Sequence, residues 1–284
     1  MTRPTGPDSL LVIVPAFNEE GAVASVVRSV RQHVPGAPVL VIDDCSADGT
    51  IPAARAAGAE ILPMPHHLGL GGCVQAGYKL AYELGYAYVI RVDGDGQHDA
   101  ADIPRIFERL KTSGCEMVIG SRFLAENGSS VKLWTSRTGM VRWFGIRFFR
   151  AVLRPILGRS VHDPTSGFVG VNRRALDVFS RSFPLEYPEI EALVVLQRRA
   201  FRFEEVPVAM RPRTTGRSSI TALKSLYYIV HVLLGVFVNV LKYDRRFHGS
   251  QRESSRKPAP PIGGNAGRNA GRNAGRNAGR GVGG

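Results

Sequence analysis

The sequence predicts an α/β fold built on a mainly parallel sheet, and three observations predict it. Apolar runs of strand length alternate with stretches of helix length as far as Gly120. Glycine, proline and acidic residues punctuate the ends of those runs. Acidic residues also gather where strands should end, at Asp43-Asp44 and at Asp93-Gly94-Asp95. In sheets of this kind ligands lie beyond the carboxyl ends of the strands, so these acids should face one crevice.

The elements follow in order. Leu10–Val14 is a short apolar run closed by Pro15, which suits a buried strand. Asn18, Glu19 and Glu20 open a helix with acids in its first turn, ending near His33. Val39–Ile42 is the second strand, Thr50–Ala57 a helix and Glu60–Met64 the third strand. Gly69–Gly72 leads into a helix that reaches about Leu84, and Tyr86–Val92 is a strand ending at Asp93. Asp102 caps a helix with Pro104 in its first turn, running to Lys111, and Met117–Ile119 is the fifth strand. Beyond Gly120 the pattern loosens. Ser121–Ser136 reads as a loop, Met140–Leu157 as a helix, Gly167–Val171 as a strand, and Arg174–Ser180 and Glu189–Arg199 as helices. Phe203–Val208 is a strand, Ala209–Ser219 a loop and Ile220–Tyr243 a long apolar helix. The expected organisation is a catalytic domain over 1–219, an apolar amphipathic helix over 220–244 and a tail over 245–284.

Composition narrows the function classes. The 284 residues carry 37 Lys+Arg against 24 Asp+Glu, a formal charge of +13, with 44% hydrophobic residues. That is neither a disordered chain nor a multi-span membrane protein. Much of the charge is local, since Arg245, Arg246, Arg252, Arg256, Lys257, Arg268, Arg272, Arg276 and Arg280 lie in the tail against one acid, Glu253. A basic balance concentrated in an Asn-Ala-Gly-Arg repeat gives no ground for expecting a nucleic-acid partner; it reads as a disordered tail. Three scattered cysteines make neither a disulfide framework nor a zinc site. With no secretory signal at the N-terminus, a cytoplasmic chain is expected. Two segments point to a membrane surface. Met140–Leu157 sets Arg142, Arg147, Arg150 and Arg154 against Phe144, Phe148, Phe149 and Val152, with Trp143 among the arginines, the pattern of an interfacial helix; a helix packed on the domain with snorkelling arginines is the alternative. Leu226–Leu241 is apolar but interrupted by His231 and Asn239, too short to span, and is predicted to be monotopic or to join copies of the chain into a homo-oligomer. The expected place is peripheral, on the inner face of the cell membrane.

Asp93-Gly94-Asp95-Gly96-Gln97 carries the chemistry. Two carboxylates two residues apart at a strand end project to one side and repel each other. A divalent cation relieves that, and hard oxygen ligands suit Mg²⁺ or Mn²⁺, with Gln97 offering a neutral carbonyl. Rival motifs fail on the letters. Counted from Asp93, the sixth and twelfth positions are His98 and Pro104, which excludes an EF-hand. After Gly69-x-Gly71 the third glycine of a dinucleotide fingerprint falls on Val74. There is no Gly-Lys-Ser/Thr phosphate loop. An ordinary acidic turn is the plain alternative, and Asp43-Asp44 at a neighbouring strand end counts against it. His66-His67 reads as solvated, and His98 as support for the turn.

These residues together resemble family 2 glycosyltransferases with a GT-A fold, in the dolichyl-phosphate mannose synthase-like subgroup. The likeness rests on Val14-Pro15-Ala16-Phe17-Asn18-Glu19, Asp43 to Thr50, Gly69-Leu70-Gly71 and Asp93 to His98. It continues in Gly120-Ser121-Arg122, Asp163 to Phe168, Glu205-Val206-Pro207 and Gly216-Arg217-Ser218. The resemblance implies that Pro15, Phe17, Glu19 and Asp43 or Asp44 line a nucleotide pocket. It implies that Asp93, Asp95 and Gln97 hold the metal on a sugar-nucleotide diphosphate, and that Arg213 lies near that diphosphate. Arg122 and Arg137 match positions that meet an acceptor phosphate. The chain departs from the pattern at Val141, Val169 and Ser219, where the family commonly carries Ser, Arg and Lys.

The implied reaction is metal-dependent, inverting transfer of a sugar from a nucleotide-diphosphate sugar to a polyprenyl phosphate. Charge building on the departing diphosphate calls for the metal and a fixed cation. An acceptor that is already anionic needs positioning more than deprotonation. Two rivals stand beside this: transfer to a hydroxyl of a glycan or small molecule, with Asp163 as the base, and a non-catalytic scaffold that binds nucleotide sugar. Asp163 otherwise reads as a loop cap before Pro164.

Overall fold

A computed structural model describes residues 4, 6–124, 147 and 150–210, all within the compact unit Met1–Arg245. Arg137, Arg213, the apolar helix expected over 220–244, the repeat tail and half of the helix expected over Met140–Leu157 lie outside the described residues.

The core is a seven-stranded sheet of β1 (Leu10–Ala16), β2 (Val39–Asp43), β3 (Glu60–Pro63), β4 (Tyr88–Arg91), β5 (Met117–Ser121), β6 (Val169–Asn172) and β7 (Phe203–Pro207). Their order is β3-β2-β1-β4-β6-β5-β7. β6 runs antiparallel between β4 and β5, and every other pairing is parallel. Around the sheet lie α1 (Val23–His33), α2 (Thr50–Ala56), α3 (Gly69–Leu84), α4 (Ile103–Ser113), α5 (Arg173–Arg181) and α6 (Pro188–Arg198).

Strand alternation sorts the core into two layers. Leu11, Ile13, Leu40, Ile42 and Val89 join Val74 and Tyr78 of α3 with Leu176 and Phe179 of α5. Val12, Val14, Val39, Val41 and Ile90 join Val23, Val27 and Val30 of α1 with Ile103 and Ile106 of α4. Because helices cover both faces, every residue of β1 and β2 is buried, and both strands read as continuous apolar runs. Each such Val, Leu or Ile contributes about 1.5–3 kcal/mol by leaving water.

Two departures from the expected elements are instructive. α1 begins at Val23, not at Asn18. The N–H groups of Asn18, Glu19 and Glu20 donate instead to Ser46 Oγ (2.9 Å), Thr50 Oγ1 (2.8 Å) and Asp48 Oδ2 (3.2 Å) across the crevice. Those side chains belong to the loop after β2 and to Thr50, the first residue of α2, so the acidic segment is stitched to that loop and helix start rather than starting a helix itself. Further on, α4 does begin after Asp102, but that carboxylate accepts from the Ala209 N–H (2.8 Å), and Asp99 caps the preceding 3₁₀ turn.

Residues 150–157 are helical, and Leu153 and Leu157 are buried in the layer of α3 and α5 while Arg154 is exposed. These turns rest on the domain. Among the described residues no helix is long and apolar enough to cross a membrane. The register pairs Ala16 with Asp43 and Ile13 with Arg91, so β1, β2 and β4 end at one edge.

Candidate active site

The loops after β1 and β2 form one wall. Asn18 adopts φ +54° and Cys45 φ +64°, and Asn18 Oδ1 accepts from the Ala47 N–H at 2.9 Å. Phe17 is 45% exposed, a high value for a phenylalanine, and its ring lies 4.4 Å from that of His67. Pro15 is buried and Glu19 half-buried beneath it.

Asp43 and Asp44 sit at adjacent positions and have different surroundings. Asp44 accepts from the N–H groups of Leu68 (2.6 Å) and Gly69 (2.9 Å), so it satisfies the amino end of α3, and His67 Nδ1 lies 2.9 Å away. Asp43 is 1% exposed; its Oδ2 accepts from the Ser46 N–H at 3.0 Å. Its Oδ1 is buried without a hydrogen-bond donor among the described residues. Such an atom costs about 1–3 kcal/mol until a donor meets it.

The end of β4 forms the floor. Asp95 Oδ1 accepts from the Gln97 N–H at 3.1 Å, and Gly96 at φ +73° turns the chain back. His98 Nδ1 accepts from the Asp93 N–H at 3.2 Å, and its ring stacks on Phe168 with centroids 5.1 Å apart. Burial lowers the His98 pKa, more than the Asp93 charge raises it, which suits a neutral ring in that accepting role. Asp93 Oδ1 takes a hydrogen bond from Arg91 Nε at 3.0 Å. Oδ2 occupies the place of a side chain at Gly167, where a Cβ would fall 2.3 Å from it. Burial alone would raise the Asp93 carboxyl, but the Arg91 charge and hydrogen bond together with the neighbouring His98 and Arg122 outweigh it and hold that group below the usual range.

No group of three or more His, Cys, Asp or Glu forms a complete metal cage among the described residues. Two carboxylates at a strand end fit Mg²⁺ or Mn²⁺ all the same. These ions commonly take one or two protein carboxylates and fill the remaining positions with phosphate oxygens and water.

Arg122, just past β5, lies in a closed network. Its Nε and Nη2 each donate at 2.6 Å to the two oxygens of Asp163, and its own N–H donates to Asp163 Oδ2 at 3.1 Å. Nη2 also reaches Thr165 Oγ1 at 2.9 Å, while Nη1 is 3.8 Å from Met210 Sδ. Asp163 is fully buried. Burial opposes the Arg122 charge, but Asp163 more than restores it and the pKa rises. Glu205 of β7 holds the base of this loop, accepting from the N–H groups of His162 and Asp163, both at 2.8 Å.

The expected site residues Pro15, Phe17, Glu19, Asp43, Asp44, Asp93, Asp95 and Gln97 thus lie at the ends of the parallel strands β1, β2 and β4, while Arg122 and Asp163 pair with each other. Sequence reasoning passed over Arg91 and Glu189, which contact each other at 2.8 Å. Arg91 carried a signal, being a lone charge inside the apolar run Tyr88–Val92. Glu189 carried none beyond standing in the first turn of a helix.

The model of the family described as "Glycosyl transferase family 2" matches residues 11–179. The chain belongs to that family. This glycosyltransferase is 30% identical over 221 residues to an undecaprenyl-phosphate mannosyltransferase of Micrococcus luteus, covering 75% of this chain and 87% of that protein. It is 27% identical over 218 residues to a UDP-N-acetylglucosamine–dolichyl-phosphate N-acetylglucosaminyltransferase of Methanococcus voltae, covering 70% and 84%. Among solved structures, glucosyl-3-phosphoglycerate synthase of Mycobacterium tuberculosis, in complex with Mn²⁺, UDP and phosphoglyceric acid, superposes with a TM-score of 0.61. At 24% identity over 83% of this chain and 78% of that one, the glycosyltransferase shares its fold, which is GT-A.

Proposed function

We propose that this glycosyltransferase moves a sugar, with inversion, from a nucleotide-diphosphate sugar to a polyprenyl phosphate at the inner face of the membrane. The observation that carries the proposal is the orphaned oxygen of Asp43 beside the Asp93-Gly94-Asp95 turn. A nucleobase N–H would satisfy that oxygen, and the diphosphate would then extend towards Asp93 and Asp95. Phe17 and Glu19 would line the base and ribose end. Asp93, Asp95 and Gln97 would hold Mg²⁺ or Mn²⁺, and the bound dication would offset charge on the departing diphosphate.

The chain's own residues would do the rest. Asp163 is fully buried and spends both oxygens on Arg122, an arrangement better suited to holding that guanidinium than to taking a proton from a hydroxyl. A fixed Arg122 would position an acceptor phosphate through Nη1, with Arg137 as its partner. Arg213 would stand by the diphosphate. Two relatives named for transfer to undecaprenyl and dolichyl phosphate support this acceptor, and they differ in the sugar moved. The basic tail and the apolar segment 220–244 would keep the enzyme at the lipid surface.

The test supplies the purified full chain with Mn²⁺, a panel of UDP- and GDP-hexoses, and vesicles containing undecaprenyl phosphate. The expected products are a glycosyl phospholipid and a free nucleoside diphosphate. Transfer only to a glycan or small-molecule hydroxyl, or none with any donor, overturns the proposal.

A further inference from the structure

Arg91 is 3% exposed, on a strand, with no route to water for its charge. A guanidinium does not deprotonate in a protein, so this one must be balanced where it stands. From its own strand end the carboxylate in contact with it is Asp93, the first acid of the turn proposed to bind the dication. An arginine balanced by Asp93 alone would consume the charge that the dication needs. The structure holds a second carboxylate against the same guanidinium: Arg91 Nη2 lies 2.9 Å from Asp93 Oδ1 and 2.8 Å from Glu189 Oε1. Glu189 comes from the first turn of α6, a distant part of the chain. It is 17% exposed and lines a cavity of about 490 Å³ with Tyr187, Leu70 and Leu185.

We propose that Glu189 and Arg91 are positioning residues for the dication: Glu189 takes up the arginine's charge, so that Asp93 keeps its own for the metal. The inference rests on Asp93 and Asp95 being the metal carboxylates. Three carboxylates, Asp93, Asp95 and Glu189, against one guanidinium leave a formal charge of −2, the complement of Mg²⁺ or Mn²⁺. Arg91 also fixes the Asp93 rotamer through its Nε hydrogen bond, which leaves Oδ2 beside Gly167. Arg122 adds no net charge, being paired with Asp163.

Charge balance and direct ligation make different predictions, and a pair of variants separates them. Mn²⁺ is titrated into the full-length protein in the presence of UDP or GDP, with free ion read by electron paramagnetic resonance. Glu189→Gln, which keeps the shape and removes one charge, should weaken Mn²⁺ binding roughly tenfold. Glu189→Asp should recover part of the loss. Adding Arg91→Met to Glu189→Gln restores a formal charge of −2 and should bring the affinity back to within about threefold of the parent. Glu186→Gln, in the wall of the same cavity but not on Arg91, should leave it unchanged. Parent-like Mn²⁺ binding in folded Glu189→Gln overturns the inference. So does a double variant that folds but binds no better than Glu189→Gln alone, since Glu189 would then act as a ligand or a local support. If the parent itself binds no Mn²⁺ with either nucleotide, the metal reading fails, and the inference with it.

Discussion

The two sides of the crevice handle charge in opposite ways. On the side of β1, β2 and β4, Asp43 has an oxygen with no donor among the described residues, and two carboxylates, Asp93 and Asp95, stand together at one turn. On the side of β5, β6 and β7, Arg122, Asp163, Thr165 and Glu205 satisfy one another. Under the proposed function the first side would be completed by what it binds. The Arg122–Asp163 network of the second is already paired and would serve as a preorganised wall for the acceptor, while Ser121 Oγ beside it is buried without a hydrogen-bond partner among the described residues. Substitutions should therefore divide into those that spare the fold and lose binding, and those that lose the fold.

The largest effect is expected on the unfinished side. Asp93→Asn with Asp95→Asn, or removal of divalent ions by a chelator, should lower turnover at least about a thousandfold, as loss of a principal charge-stabilising group does. Thermal melting should show the double variant folded. Undiminished turnover would remove the distinction between the two sides.

The finished side should respond in stability. Asp163→Leu leaves the buried Arg122 unpaired, and breaking such a pair costs about 3–5 kcal/mol. Urea unfolding measures it. A loss under about 1 kcal/mol would mean that water reaches Arg122 and the network is weaker than its geometry suggests. Smaller again is Asp43→Ala. It removes the orphaned oxygen but also an acceptor for the Ser46 N–H, so stability should move by less than about 1 kcal/mol. Nucleotide affinity, measured by calorimetry, should fall about ten- to a hundredfold, the worth of one charge-assisted hydrogen bond.

How much of this was legible in the sequence follows the same division. Apolar runs ending in acids placed β1, β2 and β4 and their crevice, because burial on both faces leaves so plain a pattern. The antiparallel insertion of β6 was not visible, since Val169–Asn172 reads the same in either direction and only long-range pairing sets it. The start of α1 was misjudged because Glu19 and Glu20 suit the first turn of a helix, and the hydroxyl of Thr50 and the carboxylate of Asp48 won their N–H groups instead. Asp43 and Asp44 could not be told apart by letter. Their roles depend on where the amino end of α3 lands, and it lands on Asp44. Nothing in the letters pairs Arg122 with Asp163, 41 residues apart; Asp163 read as a base or a loop cap, and only the fold brings its carboxylate onto the Arg122 guanidinium.

The smallest expected effect sharpens what holds the unfinished side in place. Asp48 accepts from the Thr50 N–H (3.0 Å) and hydroxyl (2.5 Å) and from the Glu20 N–H (3.2 Å), tying the loop after β2 to the loop after β1. Slight burial would raise its pKa, but the Thr50 and Glu20 hydrogen bonds outweigh that and lower it. A carboxyl whose folded pKa lies below its unfolded value stabilises the fold above the unfolded pKa, near 4. That contribution drains away as the pH falls through the folded value. Asp48→Asn should therefore flatten the acid limb of the melting temperature below about pH 4 and leave the neutral plateau within a few degrees of the parent. The group is exposed, so solvent screening keeps the effect small. The single Asn oxygen can still accept from the Thr50 N–H and hydroxyl, and the exposed Glu20 N–H, which loses its acceptor, can turn to water, so nucleotide binding at neutral pH should be retained. A variant that melts like the parent at neutral pH but no longer binds UDP or GDP would show that the stitch shapes the pocket itself, and that this wall is no more preassembled than the Asp93 turn beside it.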